Sequence, residues 1–214
     1  MRVKASTEFM PRFPVYIYSQ SGDSKTAGTL DNMGIPYRIV EDRNRAKQKS
    51  LREGHLRHWI LDGDIEKIHV LFRNRIFDCF CPSVFHIMET IALGFTNVGM
   101  AFPSVMPVTL GKDDSFLMTN AIPSSFILVN NLLNADWEGE YTDKELFYIK
   151  ALKENRLTIR FPYFAFTKAR KPPSKNLDVR VRAKTRTRMN VLMRRYPRYF
   201  SVVRKLEGWE YVLN

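Results

Sequence analysis

Short apolar runs alternate with helix-forming stretches over roughly the first sixty residues, and this alternation restricts the fold more than any other feature. Pro14–Tyr18, Tyr37–Val40 and Arg57–Leu61 are rich in β-branched and aromatic residues, which is typical of strands. Helices are predicted between them, from about Lys25 to Met33 and from Arg43 to Gly54. Strands separated by helices indicate a parallel sheet with crossover helices. We therefore predict an α/β fold that binds ligands at the carboxyl ends of its strands.

The remainder of the chain predicts a less regular set of elements. Thr142 to Lys153 is expected to be a helix, because Thr142 and Glu145 form a capping-box pattern. A basic amphipathic helix is expected from Lys184 to Tyr196. Further strands are expected at Phe95–Met100, Val105–Leu110, Ser125–Val129 and Arg156–Arg160. We expect a main domain over residues 1–170 and a basic helical appendage over residues 171–214 that packs on it.

Charge is strongly segregated along the chain. Lys and Arg number 34 against 22 Asp and Glu, which gives a net charge of +12. Fifteen basic residues and one acid lie between Arg160 and Lys205, so this segment carries +14 and the remainder carries −2. Aromatic residues are interleaved with the basic ones, unlike in a disordered tail. The segment is therefore interpreted as a surface for the phosphate backbone of a nucleic acid, with a solvated basic face as the alternative.

The composition also indicates where the protein acts. No apolar run approaches the roughly 18 residues that a membrane span needs, and no apolar signal core follows Met1-Arg-Val-Lys4. Cys79 and Cys81 are the only cysteines, and so close a pair gives neither a disulfide framework nor a zinc site. We therefore expect a cytoplasmic protein with reduced thiols and no membrane partner.

The tripeptide Asp62-Gly63-Asp64 follows the third predicted strand directly and is the sharpest candidate site. Carboxylates one residue apart at a strand end can both turn toward a divalent cation that neutralises a diphosphate. The polar segments 19–22 and 41–44 follow the other two predicted strands, so all three are expected to converge at one edge of the sheet. An ordinary Asp-Gly turn explains the tripeptide about equally well.

A second acidic group lies between Trp137 and Glu145, where a carboxylate could deprotonate an acceptor hydroxyl. Helix capping by Asp143 and Glu145 explains the same residues and is the favoured interpretation when the motif is considered alone. The four histidines show no metal-ligand spacing and are expected to be structural. The sequence contains no phosphate-loop, dinucleotide-binding or serine-hydrolase motif.

Several short motifs occur in an order that is typical of one enzyme family. They are Val15–Ser21, Gly34-Ile-Pro-Tyr37, Arg43-Asn44, Glu53-Gly54, His58–Ile65, Arg73-Asn74, Thr96–Met100 and Trp137–Tyr141, followed by Asp143 and Glu145. Over about Val15 to Lys168, this order resembles the glycosyltransferases associated with TET/JBP-type oxygenases, a phage and eukaryotic family. The resemblance implies a GT-A-like (Rossmann-like) central sheet flanked by helices. It also implies transfer of a sugar to a hydroxymethylated pyrimidine in DNA.

The chain departs from the family pattern at several positions. Gly63 stands in place of the middle acid of an acidic triplet, and Glu138 stands in place of an arginine after Trp137. The final acidic motif is one residue shorter and reads Asp143-Lys-Glu. A Gly-Gly-Asn segment expected after Lys168 is absent from the sequence, where Lys-Pro-Pro-Ser stands instead. Acceptor recognition is therefore expected to differ from that of the family.

The resemblance implies a role for each motif. A nucleotide-sugar, most simply a UDP-sugar, would bind Ser19, Ser21, Glu41, Arg43, Asn44 and Asp62. Asp64, helped by Asp62, would hold Mg²⁺ or Mn²⁺, and Asp143 or Glu145 would act as the base. The acceptor base would be flipped out of the duplex. The acceptor DNA would contact Arg73, Asn74, Trp137, Lys168, Arg182, Arg186, Arg188, Arg194 and Arg195.

Two other functions fit the same residues. A metal-dependent nuclease would use Asp62, Asp64 and Glu66 on DNA and would need no sugar donor. A non-catalytic DNA-binding or inhibitor protein of phage type would bind DNA in a salt-dependent way, and its acids would only cap helices. The transferase is the predicted function, and a phage-encoded transferase would act in the cytoplasm of the host cell.

Overall fold

Strands predominate in the structure, a computed structural model of the chain. It describes residues 15–18, 28, 31–32, 37–40, 42–62, 64–72, 75–78, 82–106, 118–119, 123, 125–138, 143–169, 187, 190–205 and 208–213. In chain order, the elements are β1 (Val15–Tyr18), β2 (Tyr37–Val40), α1 (Arg43–Arg52), β3 (Arg57–Leu61), β4 (Ile65–Phe72), β5 (Arg75–Asp78), α2 (Pro82–Leu93), β6 (Val98–Val105), β7 (Met118–Thr119), β8 (Phe126–Asn130), α3 (Asp143–Lys153), β9 (Leu157–Lys168), β10 (Phe200–Lys205) and β11 (Gly208–Leu213).

A mixed sheet forms the centre of the fold. Within the described residues it has seven strands in the order β3-β8-β6-β9-β4-β5, with β7 paired to β9. Strands β6 and β9 run parallel, and the other described pairs of this sheet are antiparallel. The combination of this sheet with flanking helices confirms the predicted α/β class.

The first three predicted strands are present, but they do not form one sheet. β1 and β2 make a separate parallel pair, with Val15 opposite Tyr37. The parallel arrangement predicted for β3 beside this pair is wrong, because β3 pairs antiparallel with β8, where Trp59 lies opposite Leu128. An apolar run predicts a strand, but it contains no information about a partner that lies far along the chain.

Side chains of the large sheet alternate between two cores, one on each face. On β8, Phe126 and Leu128 pack with α2, whereas Ile127 and Val129 pack with α3. Successive side chains of a strand point to opposite faces, so α2 and α3 cover opposite faces of the sheet. All four side chains are buried, and burial of a side chain of this size contributes about 1.5–3 kcal/mol. Helices therefore cover both faces of the sheet, and β3 lies at one end of its described strand order.

The helices α1 and α3 begin and end close to their predicted positions. The side chain of Asp42 caps α1 by accepting a hydrogen bond from the backbone N–H of Arg45 at 2.8 Å. Gly54 follows the end of α1 with a φ of 85°, a conformation that favours glycine. Helix α3 begins at Asp143 as predicted, and Thr142, its predicted cap, lies outside the described residues. Both boundaries are confirmed because capping signals are local.

The C-terminal part contains both helical and strand residues. Residues 190–195 are helical, and Leu192 is fully buried in the α3 core, with Tyr196 packed against it. Met193, in the same helical residues, is 38% exposed. Strands β10 and β11 form an antiparallel hairpin that the sequence analysis does not predict. No helix in the described part of the chain is long and apolar enough to cross a membrane.

Candidate functional site

Six charged side chains from four parts of the chain meet beside the end of β3, and we call them the charged cluster. Arg43 opens α1, and Asp143 and Lys144 open α3. Asp62 and Asp64 stand between β3 and β4, and Lys168 ends β9. Each residue therefore stands at or beside the end of a regular element, which positions its side chain toward the others. The charged cluster consists of Arg43, Asp62, Asp64, Asp143, Lys144 and Lys168.

Asp62 lies at the centre of the charged cluster. Its Oδ2 is 3.1 Å from Lys144 Nζ and 3.3 Å from Lys168 Nζ, and its Oδ1 is 3.8 Å from Arg43 Nη2. Burial alone would raise the pKa of Asp62. The charge of Lys144, hydrogen bonds from Ser125 and Lys144 and the charge of Lys168 outweigh burial, so the pKa of Asp62 lies below its ordinary value. Asp62 is therefore a carboxylate at neutral pH.

Lys168 bridges the two aspartates of the predicted acidic motif. Its Nζ lies 2.9 Å from Asp64 Oδ1 in addition to its contact with Asp62. The backbone N–H of Ile65 donates to the carbonyl of Asp62 at 3.2 Å, and that of Ala169 donates to the carbonyl of Asp64 at 2.7 Å. The segment is thus a turn, as one interpretation predicts. The turn also brings one oxygen of each carboxylate within 3.3 Å of the Lys168 ammonium group, and the metal-binding interpretation stays a prediction.

Lys144 is a member of the charged cluster that the sequence analysis does not identify. Burial lowers the pKa of Lys144 more strongly than the neighbouring Asp62 carboxylate raises it. A cation in the first turn of a helix is unfavourable to the helix dipole, so Lys144 needs a compensating partner elsewhere. That mismatch in Asp143-Lys-Glu is the signal that could have identified it. The ammonium group is held at the site by Asp62.

Arg43 contacts Asp143 and also lies over the ring of Trp137, with 5.1 Å from its guanidinium carbon to the ring centroid. The side chain of Arg43 is 11% exposed and that of Asp143 is 27% exposed. Of the two candidate bases, Asp143 therefore lies in the charged cluster and contacts a guanidinium. Glu145 is only 3% exposed and lies within the buried side of α3.

Trp137 is a buried support for this arrangement. Its ring stacks on Phe147 with a centroid distance of 4.1 Å and an interplanar angle of 10°. Asn44 holds its backbone through two hydrogen bonds, one from Asn44 Nδ2 to the carbonyl at 2.9 Å and one from the N–H to Asn44 Oδ1 at 2.7 Å. Trp137 is 7% exposed, and its Nε1 has no hydrogen-bond partner in the described structure. In this structure Trp137 contacts Arg43 and offers little surface to an acceptor.

The remaining predicted site residues fall into two groups. Arg194 and Arg195 lie exposed in the helical residues 190–195, and Arg195 Nη1 is 3.4 Å from Glu138 Oε2. Glu138 also pairs with Lys150, whose hydrogen bond is the largest cause that lowers the pKa of Glu138. The other group lies outside the described residues and comprises Ser19, Ser21, Glu41, Arg73, Asn74, Arg182, Arg186 and Arg188.

The charged cluster supplies two adjacent carboxylates, Asp62 and Asp64, for the predicted metal. Within the described residues no group of three or more His, Cys, Asp or Glu side chains is placed to hold a metal ion. Mg²⁺ in nucleotide sites is often bound by one or two carboxylates together with substrate phosphates. The pair therefore fits a cation that is shared with a diphosphate, provided that the Lys168 ammonium moves away from it.

No protein-family model matches the chain, and no curated protein shows significant similarity to it. The resemblance to the TET/JBP-associated glycosyltransferases thus depends on the order of short motifs. Of those motifs, Arg43-Asn44, Asp62-Gly-Asp64, Trp137 and Asp143 lie within contact of one another or of shared partners.

Proposed function

We propose that the protein is a glycosyltransferase that moves a sugar from a nucleotide-sugar, most simply a UDP-sugar, to a hydroxymethylated pyrimidine in DNA. The convergence of Arg43, Lys144 and Lys168 on Asp62 at the end of β3 carries the proposal. Three cations grouped beside the end of β3 can bind the oxygens of a diphosphate. The motif order supports a sugar donor and a GT-A-like arrangement of the nucleotide-binding half.

Donor binding would exchange the partners of the charged cluster. The three cations are neutralised by aspartates in the free protein, so phosphate oxygens can replace carboxylate oxygens around Lys144, Lys168 and Arg43. Asp64 and Asp62, released from Lys168, would then hold Mg²⁺ or Mn²⁺. The bound cation neutralises charge on the departing diphosphate. The cluster thus acts by electrostatic stabilisation of the leaving group.

DNA would be held by the basic C-terminal segment. Between Arg160 and Lys205 the sequence carries +14, and Arg194 is exposed in the helical residues 190–195. Contacts of this kind bind the phosphate backbone without regard to sequence. The specific step would be extrusion of the modified base toward the charged cluster, because a stacked base keeps its hydroxymethyl group out of reach.

A thermal-shift screen against UDP-, GDP-, CMP- and dTDP-sugars, with and without Mn²⁺, tests the proposal. A ligand of the native state at a hundredfold excess over its Kd stabilises by about 2.7 kcal/mol, which raises Tm by several degrees. We expect one nucleotide class to do so in the wild type but not in Asp62→Asn. Asp136→Asn, an exposed aspartate outside the charged cluster, is the matched control. No response to any donor would reject the transferase.

A non-catalytic DNA-binding or inhibitor protein is the second candidate. The observation that favours it is the internal pairing of every described acid in the charged cluster, since Asp62, Asp64 and Asp143 all contact a Lys or Arg. Such a network can exist for structural reasons alone. This candidate predicts DNA binding without any response to donors or Mn²⁺. The nuclease formed by Asp62, Asp64 and Glu66 instead predicts nicking of DNA by Mg²⁺ alone.

A further inference from the structure

An open cavity of about 490 Å³ adjoins the charged cluster. Lys168 belongs to both, because it lines the cavity and contacts Asp62 and Asp64. Ile65 pairs with Lys168 and Lys67 pairs with Thr167, so Glu66 is the extra residue of a β-bulge in β4. Bulges redirect side chains and are frequent next to active sites. The cavity is lined by Glu66, Lys67, His69, Thr167, Lys168 and Ala169.

His69 is held in the wall of this cavity by hydrogen bonds on both ring nitrogens. Its Nδ1 is 2.9 Å from Asp78 Oδ1 on β5, and its Nε2 is 3.4 Å from Thr167 Oγ1 on β9. An ionised carboxylate can only accept. Nδ1 therefore carries a proton that it donates to Asp78, and in the neutral imidazole the lone pair of Nε2 faces the Thr167 hydroxyl. His69 is 5% exposed, whereas the side chain of Asp78 is 57% exposed and also pairs with Lys67.

We propose that the cavity is the acceptor site and that His69 is the base that takes the proton of the acceptor hydroxyl. The inference rests on the proposed glycosyl transfer, and the acceptor class is a hydroxymethyl group on a pyrimidine. The 3.4 Å contact with Thr167 is long for a hydroxyl, so an acceptor hydroxyl can take the place of Thr167 Oγ1 at Nε2. Ligand cavities commonly measure about 300–1,000 Å³, a range in which this cavity lies.

The proposed step conserves atoms and electrons. The acceptor oxygen forms a bond to the anomeric carbon of the sugar while its proton passes to Nε2 of His69. The bond between that carbon and the diphosphate oxygen breaks, and its electron pair leaves on the diphosphate beside Arg43, Lys144 and Lys168. Asp78 is a positioning residue that keeps the proton on Nδ1 and stabilises the imidazolium.

His69 suits this role better than the carboxylates that the motif order suggests. Asp143 contacts Arg43 through its Oδ2, so an acceptor hydroxyl would have to displace the guanidinium from that oxygen. Glu145 is buried in α3. A neutral imidazole is a general base near neutral pH. Four titratable groups are described around His69: Asp78, which contacts it, and Glu66, Lys67 and Lys168, which line the same cavity.

Histidine-selective NMR tests the binding half of the inference without a sugar donor. The chain has four histidines, so the ring signals of His69 can be assigned by their loss in His69→Gln. We expect 5-hydroxymethyl-2′-deoxycytidine to shift the His69 signals and to leave those of His86, exposed on α2, unchanged. Deoxycytidine, which lacks the hydroxymethyl group, is the matched ligand. An unmoved His69 signal, or an equal response to both nucleosides, overturns the acceptor site.

Variants test the catalytic half in a transfer assay on DNA that contains 5-hydroxymethylcytosine. General-base catalysis contributes about 10²–10⁴-fold, so His69→Gln should lose at least about a hundredfold in rate while keeping the donor thermal shift. His86→Gln should keep both. Imidazole should restore part of the rate in His69→Ala. Asp78→Asn changes an exposed side chain and should lower the rate about tenfold. This variant tests the proposal if His69→Gln does not fold.

The outcomes separate the inference from the proposed function. Donor binding with full transfer in His69→Gln would overturn the base and leave the transferase standing. A His69 response to the hydroxymethyl nucleoside, with no donor shift for any nucleotide-sugar, would reject the transferase and leave a binding site for hydroxymethylated pyrimidines.

Discussion

His58 is a histidine whose surroundings keep it neutral. Its Nδ1 hydrogen-bonds to Oδ1 of Asn131, while the Asn131 amide donates to Ser50 Oγ at 3.0 Å and to the His55 carbonyl at 2.6 Å. Because the amide nitrogen of Asn131 donates both of these hydrogen bonds, Asn131 Oδ1 must accept a hydrogen bond from Nδ1 of His58. Burial lowers the pKa of His58 to about 4. The sequence predicts a structural histidine here, and this environment is typical of one.

His58 should make stability fall in mildly acidic solution. Its ordinary pKa of 6.5 applies to the unfolded chain and about 4 to the folded one, so the unfolded chain binds the proton first. Stability is fully present above pH 6.5 and is lost progressively as the pH falls toward about 4. The loss between pH 7.5 and 5.0 should be about 2 kcal/mol. Urea unfolding at both pH values measures it, and His58→Gln should lack this loss while His86→Gln keeps it.

Lys168 should compete with divalent cations for the two aspartates. Its ammonium lies within 3.3 Å of carboxylate oxygens of both Asp62 and Asp64. Lys168→Met leaves two adjacent carboxylates with less neutralising charge, so we expect it to bind Mn²⁺ at least about tenfold more tightly than the wild type. Electron paramagnetic resonance of free Mn²⁺ measures this without any nucleotide. Lys67→Met removes a nearby exposed ammonium and should leave Mn²⁺ binding unchanged. Equal affinity in all three proteins would contradict the competition.

At the scale of elements, α1 holds the loop that carries Trp137. Asn44 and Lys47 lie three residues apart and therefore on the same side of the helix. Lys47 Nζ donates to the carbonyls of Leu133 and Ala135, the second at 2.7 Å, while Asn44 binds both backbone polar groups of Trp137. Burial lowers the pKa of Lys47 despite the nearby acids. The polar side chains of α1 thus bind backbone groups of the loop that carries Trp137. Hydrophobic periodicity does not predict such contacts.

Asn44→Ala should loosen this contact and the site with it. Two buried backbone groups of Trp137 lose their partners, and an unsatisfied buried group costs about 1–3 kcal/mol. We expect about 2–3 kcal/mol of destabilisation in urea unfolding, together with weaker donor binding because Arg43 packs on Trp137. Gln48→Ala, which changes an exposed residue of α1, is the control. If both variants unfold at the same urea concentration, α1 does not hold the loop in this way.

The elements show where sequence reasoning succeeds and where it stops. Helices α1 and α3 are predicted closely because Gly54 and the acidic first turn of α3 are local signals. Strand β9 extends to Lys168, well beyond its predicted end at Arg160, because its buried run pairs with β4 and β6. Pairing between distant strands is a tertiary property. Because pairing depends on distant residues, the partner of β3 was also predicted wrongly. The cavity was not predicted for the same reason, since His69 and Thr167 meet only through the register of β4 and β9.

At the scale of the whole molecule, the excess positive charge and the acids of the charged cluster come from different parts of the sequence. The described acids of the charged cluster precede Arg160, whereas the excess positive charge lies from Arg160 onward. Lys168 belongs to the basic part and yet contacts Asp62 and Asp64. The described β9 residues of the basic part therefore adjoin the candidate site. A polyanion that contacts Lys168 would lie beside the charged cluster.

This arrangement predicts that the affinity for DNA depends on salt concentration. Individual arginines should contribute unequally to that dependence. Arg194 is exposed and has no acidic partner among the described residues, whereas Arg195 lies 3.4 Å from Glu138. Each phosphate contact lowers log K by about 0.9 per decade of salt. Arg194→Gln should therefore reduce the slope by about one and Arg195→Gln by less, because Glu138 already neutralises part of its charge.

Fluorescence anisotropy of a labelled duplex, titrated from low to moderate salt, measures these slopes. Arg52→Gln removes an exposed arginine from α1, outside the basic part, and should leave the slope as it is in the wild type. An equal fall in slope for Arg52→Gln would mean that DNA contacts the protein without regard to this segment. A steep wild-type slope that only Arg194→Gln and, more weakly, Arg195→Gln reduce would instead assign backbone binding to the part of the chain that leads into the site.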